Sequence, residues 1–232
     1  PPAPVAASPS PATSSFVRHA GPKSTGTRNA PPARRRSPRG ASFVRNVAIR
    51  ESRVSTPPQE QRRLQIYTGN GKGKTTAALG LSLRALGAGW RVFFGQFLKA
   101  GGYSEIEALR NFPGRVVVES FGLPEFCHPA DPPPPQQIEA ARRGLDRSRE
   151  ALFSGEFDLV VLDELNVSVH FRLLPEAEVL ELLKRRPPNV ELVVTGRYAP
   201  DSFIEEADLV TEMREVKHYY TEGLQARKGV EF

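Results

Sequence analysis

The stretch TGNGKGKTTAALG, residues 68–80, constrains this chain more than any other part of it. It follows an alternating apolar run, LQIYTG (64–69), and leads into apolar residues at helical spacing that continue to the stop signals Gly87 and Gly89. A strand, a tight glycine turn and a helix in direct succession make a phosphate cradle: main-chain N–H groups wrap phosphate oxygens, and the helix N-terminus adds its dipole. The regular pattern is G-x-x-x-x-G-K-[ST]. Here Gly73, Lys74 and Thr75 supply the last three elements, but the position five before Gly73 is Thr68 and the first glycine is Gly69, so the loop is one residue tighter. Lys74 can still bring a point charge to the phosphates, and the Thr75 hydroxyl can still ligate Mg²⁺ or Mn²⁺. Gly69, Asn70, Gly71, Lys72, Gly73 and Thr76 complete the expected nucleotide-binding set. A glycine turn can also serve plain chain reversal, but two lysines and two threonines among the glycines speak against that.

The remaining pattern alternates strands and helices. RVFFGQFLKA (91–100), RVVVESFG (115–122), FDLVVLDEL (157–165) and VELVVTGR (190–197) read as strands. QQIEAARRGLDRSREALFSGE (136–156), beginning just past the prolines of DPPPP, and PEAEVLELLKRR (175–186) read as amphipathic helices. Strands apolar on both faces, separated by helices, predict an α/β fold: a mostly parallel, P-loop NTPase-like (RecA-like) sheet with helices on both faces and right-handed crossovers. Ligands in such sheets bind beyond the carboxyl ends of the strands, so Thr68, Gln96, Asp163, Glu164 and Thr195–Arg197 are expected to line one crevice.

Asp163 and Glu164 close an apolar strand about ninety residues after the glycine loop. An acid in that place holds the cation that bridges phosphates. One of the pair can take the metal while the other positions water or a ligand, and the residues leave the assignment open.

Residues 1–63 have another character. They hold eleven prolines, nine serines and twelve Lys plus Arg, against Glu51 and Glu60 alone as acids. Such a segment buries too little apolar surface to offset its ordering entropy and is expected to be a disordered tail, with the folded domain at 64–232. The basic balance belongs to that tail, because residues 64–232 carry 20 basic against 24 acidic side chains. An acid-poor, Arg- and Ser-rich leader reads as an organelle transit segment for a plastid or mitochondrion. A plain disordered extension of a cytoplasmic protein and a nucleic-acid arm around ARRRSPRG (33–40) are the alternatives; of the three the transit reading leads, and no nucleic-acid partner is expected. There is no apolar run of eighteen residues, so no membrane span is expected. Cys127 is the only cysteine and the four histidines lack zinc spacing, so neither a disulfide nor a zinc site is expected.

Taken together, TGNGKGKTTAALG, GQFLKA, FDLVVLDELN, VELVVTGR, ADLVTEMREVKH and ARKGVEF, in that order from Leu64 to Phe232, make the chain similar to the corrinoid adenosyltransferases acting on cob(I)alamin and cob(I)yrinic acid a,c-diamide. The shortened loop with VVTGR, EMREVKH and ARKGVEF is the specific part of the likeness. The resemblance implies transfer of the 5′-deoxyadenosyl group of ATP to cobalt with release of triphosphate, so that the loop holds the leaving group rather than the reacting centre. It implies reversed ATP polarity relative to other P-loop proteins, a homodimer, and a reductant such as a flavoprotein. Lys74 and Glu164 are then the catalytic candidates, and Thr75, Asp163 and Glu164 the metal candidates. Arg84 resembles a family arginine near the nucleotide, with a solvated helix arginine as the alternative. The family displaces the lower axial ligand of cobalt with apolar or aromatic side chains; the matching stretch here is SFGLPEFCHP (120–129), where Phe121 and Phe126 are corrinoid-binding candidates by neighbourhood, or else ordinary core. A P-loop ATPase or kinase acting at the γ-phosphate, and a non-catalytic nucleotide- or corrinoid-sensing regulator, are the competing functions.

Overall fold

A computed structural model describes residues 62–124 and 132–231. Residues 1–61, nearly all of the tail, and Phe126, Cys127 and His128 lie outside the described residues. The elements run β1 (Leu64–Thr68), α1 (Lys74–Gly87), β2 (Val92–Phe97), α2 (Ser104–Leu109), β3 (Val116–Phe121), α3 (Pro135–Phe153), β4 (Leu159–Asp163), α4 (Leu165–His170), α5 (Glu176–Lys184), β5 (Glu191–Thr195), α6 (Asp201–Glu206) and β6 (Leu209–Glu212). A 3₁₀ turn, Tyr219–Glu222, follows. Every strand pair is parallel, and the order across the sheet is β3-β2-β4-β5-β1-β6. The expected parallel α/β sheet is therefore present, and β5 separates the strand that carries the glycine loop from the one that carries the acids.

Successive strand residues feed opposite cores, as the two-residue period of a strand requires. Ile66, Phe93, Leu162 and Val194 pack with α3, α5 and α6 on one face. Tyr67, Phe94, Val161 and Val193 pack with α1 and α2 on the other. α3 starts on Pro135, whose missing N–H costs nothing in the first turn, and buries Ala140, Ala141, Gly144, Leu145, Ser148, Ala151 and Leu152 along one stripe. Gly144 is where that stripe meets the sheet: an added Cβ would stand 2.8 Å from the rings of both Phe97 and Phe121. Gly144→Ala is therefore expected to destabilise by about 1–3 kcal/mol through overpacking, a loss that urea unfolding would register. An unchanged midpoint would show that the two rings yield freely.

Three short elements were not anticipated from the periodicity: α2, α4 and α6, each six residues long, too short for a helical repeat to show. β6 is likewise short and exposed. It is fastened by Asp208, which accepts from the Leu64 N–H at 2.8 Å and from Arg186 at 2.8 Å. Burial pushes the Asp208 carboxyl up, but the Leu64 N–H, Arg63 and Arg186 more than offset this and hold it below its ordinary value. Among the described residues no helix is long and apolar enough to cross a membrane.

Candidate active site

The glycine loop joins β1 to α1 at the carboxyl edge of the sheet, and its glycines answer to neighbouring backbone as much as to any phosphate. Gly69 sits at φ +95°, and a Cβ there would lie 2.4 Å from the Met213 carbonyl oxygen. At Gly71 a Cβ would stand 2.8 Å from Met213 O and from the Arg214 carbonyl carbon. The Gly71 N–H donates to Met213 O at 2.7 Å, and the Met213 N–H to Thr68 O at 2.8 Å. The segment after β6 thus braces the tight loop from outside. The Gly71 N–H is thus taken up by Met213, while Gly71 itself stays at the edge of the cavity described below.

Lys74 opens α1 and is nearly buried. Its ammonium donates to Gly69 O and Gly71 O, both at 2.7 Å, clasping its own loop. Burial pulls this ammonium below its ordinary pKa, with Glu164 opposing and Arg197 reinforcing the shift. Thr75 points towards the acids: its hydroxyl donates to Asp163 Oδ1 at 2.9 Å. Asp163, fully buried at the end of β4, also accepts from Thr195 Oγ1 at 2.6 Å and from Lys99 Nζ at 2.8 Å. The strand between the loop and the acid therefore supplies the hydroxyl that holds the acid in place. Glu164 adopts a left-handed backbone (φ 62°) at the start of α4, its N–H donating to Thr195 Oγ1 at 3.1 Å. Burial first and the Asp163 carboxylate second raise its carboxyl above the usual range.

Gly71, Lys72, Gly73, Lys74, Thr75 and Thr76 line a cavity of about 580 Å³, together with Lys99, Glu164 and Arg197. Its outer wall is the chain's C-terminal segment, through His218, Gly229, Val230 and Glu231. Lys72 donates to Val230 O at 2.8 Å. Glu231 accepts from the Tyr219 hydroxyl and, at 2.7 Å, from the Arg227 N–H. These bonds, the Tyr219 contact foremost, pull its carboxyl down to about 2. The motifs EMREVKH and ARKGVEF are thereby joined around one cavity. A second cavity, of about 410 Å³, lies between Leu98–Tyr103, Leu123–Pro124 and Ala226, and shares Lys99 and Glu231 with the first.

The model of the ATP:corrinoid adenosyltransferases BtuR/CobO/CobP matches residues 60–232. The chain belongs to the ATP:corrinoid adenosyltransferase family. A corrinoid adenosyltransferase of Pseudomonas aeruginosa is 37% identical over 186 residues, covering 80% of this chain and 91% of that protein. One from Escherichia coli is 32% identical over 185 residues, covering 78% of this chain and 91% of that protein. Among solved structures, the flagellar accessory protein FlaH of Methanocaldococcus jannaschii is matched at a TM-score of 0.46 with 12% identity, over 65% of this chain and 70% of that one. The fold assignment rests on the sheet order and the loop themselves.

Within this adenosyltransferase the anticipated site residues separate into groups. Gly71, Lys72, Gly73, Lys74, Thr75, Thr76 and Glu164 meet at the first cavity, with Asp163 buried beneath it. Gly69 and Asn70 belong to the same loop but are not part of the cavity lining. Arg84 is not brought there: it stands exposed in the last turn of α1, on a helix whose first turn carries Lys74. Of the residues expected at the strand ends, Glu164 and Arg197 line the first cavity, whereas Thr68, Gln96, Asp163, Thr195 and Gly196 are buried and are not part of its lining. Phe121 tilts onto Phe97, with ring centroids 5.6 Å apart, over Gly144. It is only partly buried at the end of β3, and the neighbouring Leu123 and Pro124 line the second cavity. Lys99, His218 and Glu231 were not foreseen from the sequence as site residues. A cation just past a buried strand was the available signal for Lys99, but the turn at Leu98 (φ 61°) that precedes it has no sequence mark.

The donor set suits a hard cation. A threonine hydroxyl, an aspartate and a glutamate offer oxygen only, and among the described residues no group of three or more His, Cys, Asp or Glu side chains forms a closed cage. Mg²⁺ is commonly held by one or two carboxylates with substrate phosphates and water completing its shell, so the residues present fit it.

Proposed function

We propose that the chain transfers the 5′-deoxyadenosyl group of ATP to the cobalt of a cob(I) corrinoid and releases triphosphate. The observation that carries this reading is the pairing of two cavities through a common wall. The first is lined by the tight glycine loop and its lysines, the second by Leu98, Leu123, Pro124 and the glycines 101 and 102, and Lys99 and Glu231 belong to both. A triphosphate in the first and one edge of a corrin ring in the second would bring C5′ and cobalt together between them.

The cobalt(I) lone pair attacks C5′, the C5′–O bond breaks, and its electron pair departs on the triphosphate. Cob(I) is already a strong nucleophile, so the protein needs no base; its tasks are alignment and stabilisation of the leaving charge. Lys72 and Lys74 face that charge. Thr75, Asp163 and Glu164 would hold Mg²⁺ or Mn²⁺, which supplies further positive charge to the phosphates when bound. The chain works as a homodimer supplied with electrons by a flavoprotein-type reductant, and Phe121 and Phe126 help keep the lower face of cobalt free of a ligand.

The deciding experiment incubates the protein with ATP, Mg²⁺ and chemically reduced cob(I)alamin in dim light. The spectrum of adenosylcobalamin and stoichiometric triphosphate are expected, whereas ADP or orthophosphate as the product would overturn the reading. For Phe121, alanine substitution is expected to depress activity from cob(II) with a weak reductant while sparing activity from pre-reduced cob(I). Equal losses in both assays, with a lowered Tm, would return this ring to a packing role, where Phe→Ala costs about 3–5 kcal/mol.

A further inference from the structure

Lys99 sits where the metal-directed oxygens converge. Its ammonium lies 2.8 Å from Asp163 Oδ2 and 3.4 Å from Thr75 Oγ1, while Thr75 Oγ1 lies 2.9 Å from Asp163 Oδ1. The pair is well shielded, with side-chain exposures of 16% for Lys99 and 0% for Asp163. A divalent cation bridging Thr75 and Asp163 needs the same oxygens that the ammonium holds. Two cations a few ångströms apart in a shielded site repel strongly, so both cannot keep that position.

The surroundings give the ammonium somewhere to go. Lys99 follows the left-handed turn at Leu98 and precedes Gly101 and Gly102, both at positive φ, so its backbone is set by a turn rather than by the sheet. Its side chain borders both cavities, and the Tyr103 ring lies 5.0 Å from the ammonium. The other charged groups facing it are Glu164 and Glu105. On the nucleotide side stand Lys72 and Lys74, which line the same cavity.

We propose that Lys99 is the resident counter-ion of the metal position: it neutralises Asp163 until a divalent cation takes Thr75 and Asp163, and its released ammonium then turns to the triphosphate. Burying Asp163 without a partner would be costly, and the lysine removes that cost without a metal. Once displaced, the same charge serves the leaving group, so metal and nucleotide binding reinforce one another. This rests on the reading of the loop as a triphosphate site and is independent of the corrinoid chemistry.

The test uses Lys99→Met, which keeps the apolar stem and removes the charge. Mn²⁺ binding to the full chain without nucleotide is read by electron paramagnetic resonance, and binding of inorganic tripolyphosphate with Mn²⁺ by calorimetry. The variant is expected to bind Mn²⁺ alone about tenfold or more tighter, and Mn²⁺–tripolyphosphate about tenfold weaker, the usual worth of one charge-assisted hydrogen bond. Unchanged Mn²⁺ affinity, or unchanged tripolyphosphate affinity, overturns the proposal and leaves Lys99 an ordinary buried ion pair.

A second measurement does not depend on the variant's folding. In wild-type protein carrying ¹⁵N-lysine, the slowly exchanging Nζ signal assigned to Lys99 should be lost or shifted when Mg²⁺ and tripolyphosphate are added together. A signal that persists unshifted at saturation shows an ammonium that never leaves Asp163. Failure of the wild type to bind tripolyphosphate at all would instead overturn the reading of the loop.

Discussion

Asp163→Ala is expected to cost about 3–5 kcal/mol of folding stability, a large part of the roughly 5–15 kcal/mol that holds a domain of ordinary stability together. The side chain is fully buried and ties three elements: Thr75 on α1, Thr195 on β5 and Lys99 beyond β2. Its removal strands the Lys99 ammonium in a shielded place and leaves two hydroxyls short of an acceptor. Chemical denaturation measures the loss, and the double variant Asp163→Ala with Lys99→Met should recover a good part of it, because both members of the pair then go together. A loss below about 1 kcal/mol would mean that the pair is screened like a surface ion pair.

Glu164 should behave in the opposite sense. Its carboxyl is raised by burial and by Asp163, so the folded chain holds this proton more tightly than the unfolded chain does. The stabilising contribution is complete below the ordinary carboxyl range and is lost as pH rises through the raised value. Near neutral pH Glu164→Gln is thus expected to unfold at a temperature no lower than wild type, although it removes a carboxylate from the metal position. Stability that falls in Asp163→Ala and holds in Glu164→Gln, with adenosylation lost in both, would separate the structural acid from the functional one.

The largest effect on turnover is expected from the loop. Thr75→Ala removes the hydroxyl directed at the metal and should lower kcat/KM by about 10²- to 10³-fold, the usual size for one preorganised contact to developing charge. Thr75→Ser, which keeps the oxygen, should recover most of it. Lys74→Ala should lose at least as much, and for two reasons. It takes a charge from the phosphates and also opens the clasp on Gly69 O and Gly71 O, so nucleotide affinity and Tm should fall together in this variant, and Tm further than in Thr75→Ala, which loses one hydrogen bond to Asp163. Steady-state assays beside thermal unfolding distinguish the two. Wild-type rates in either variant would remove the loop from the mechanism.

How much of this was legible beforehand depended on the range of the interaction. The parallel sheet could be read because strands such as LVVLD and ELVVT are apolar on both faces, and α3 because nineteen residues give the helical repeat time to show. Six-residue α2, α4 and α6 gave no such repeat. The loop was visible because its chemistry is local: glycines for tight backbone, a lysine and a threonine at fixed spacing. The Phe121 and Phe126 candidates came from the neighbourhood of a motif rather than from a residue pattern, and the fold places Phe121 against Phe97.

Sequence alone determined the fold class, the phosphate cradle and the pair of acids, since each is written in residues close together along the chain. The tertiary structure decided the rest. It put β5 between β1 and β4, so that Thr195 reaches Asp163; it laid Met213 and Arg214 against Gly69 and Gly71; and it wrapped Glu231 to the cavity from 158 positions beyond the far end of the loop at Gly73. It also turned Lys99 back towards Asp163. These contacts join residues that no periodicity couples; all but the Glu231 contact arise because a parallel sheet brings the carboxyl ends of its strands to one edge.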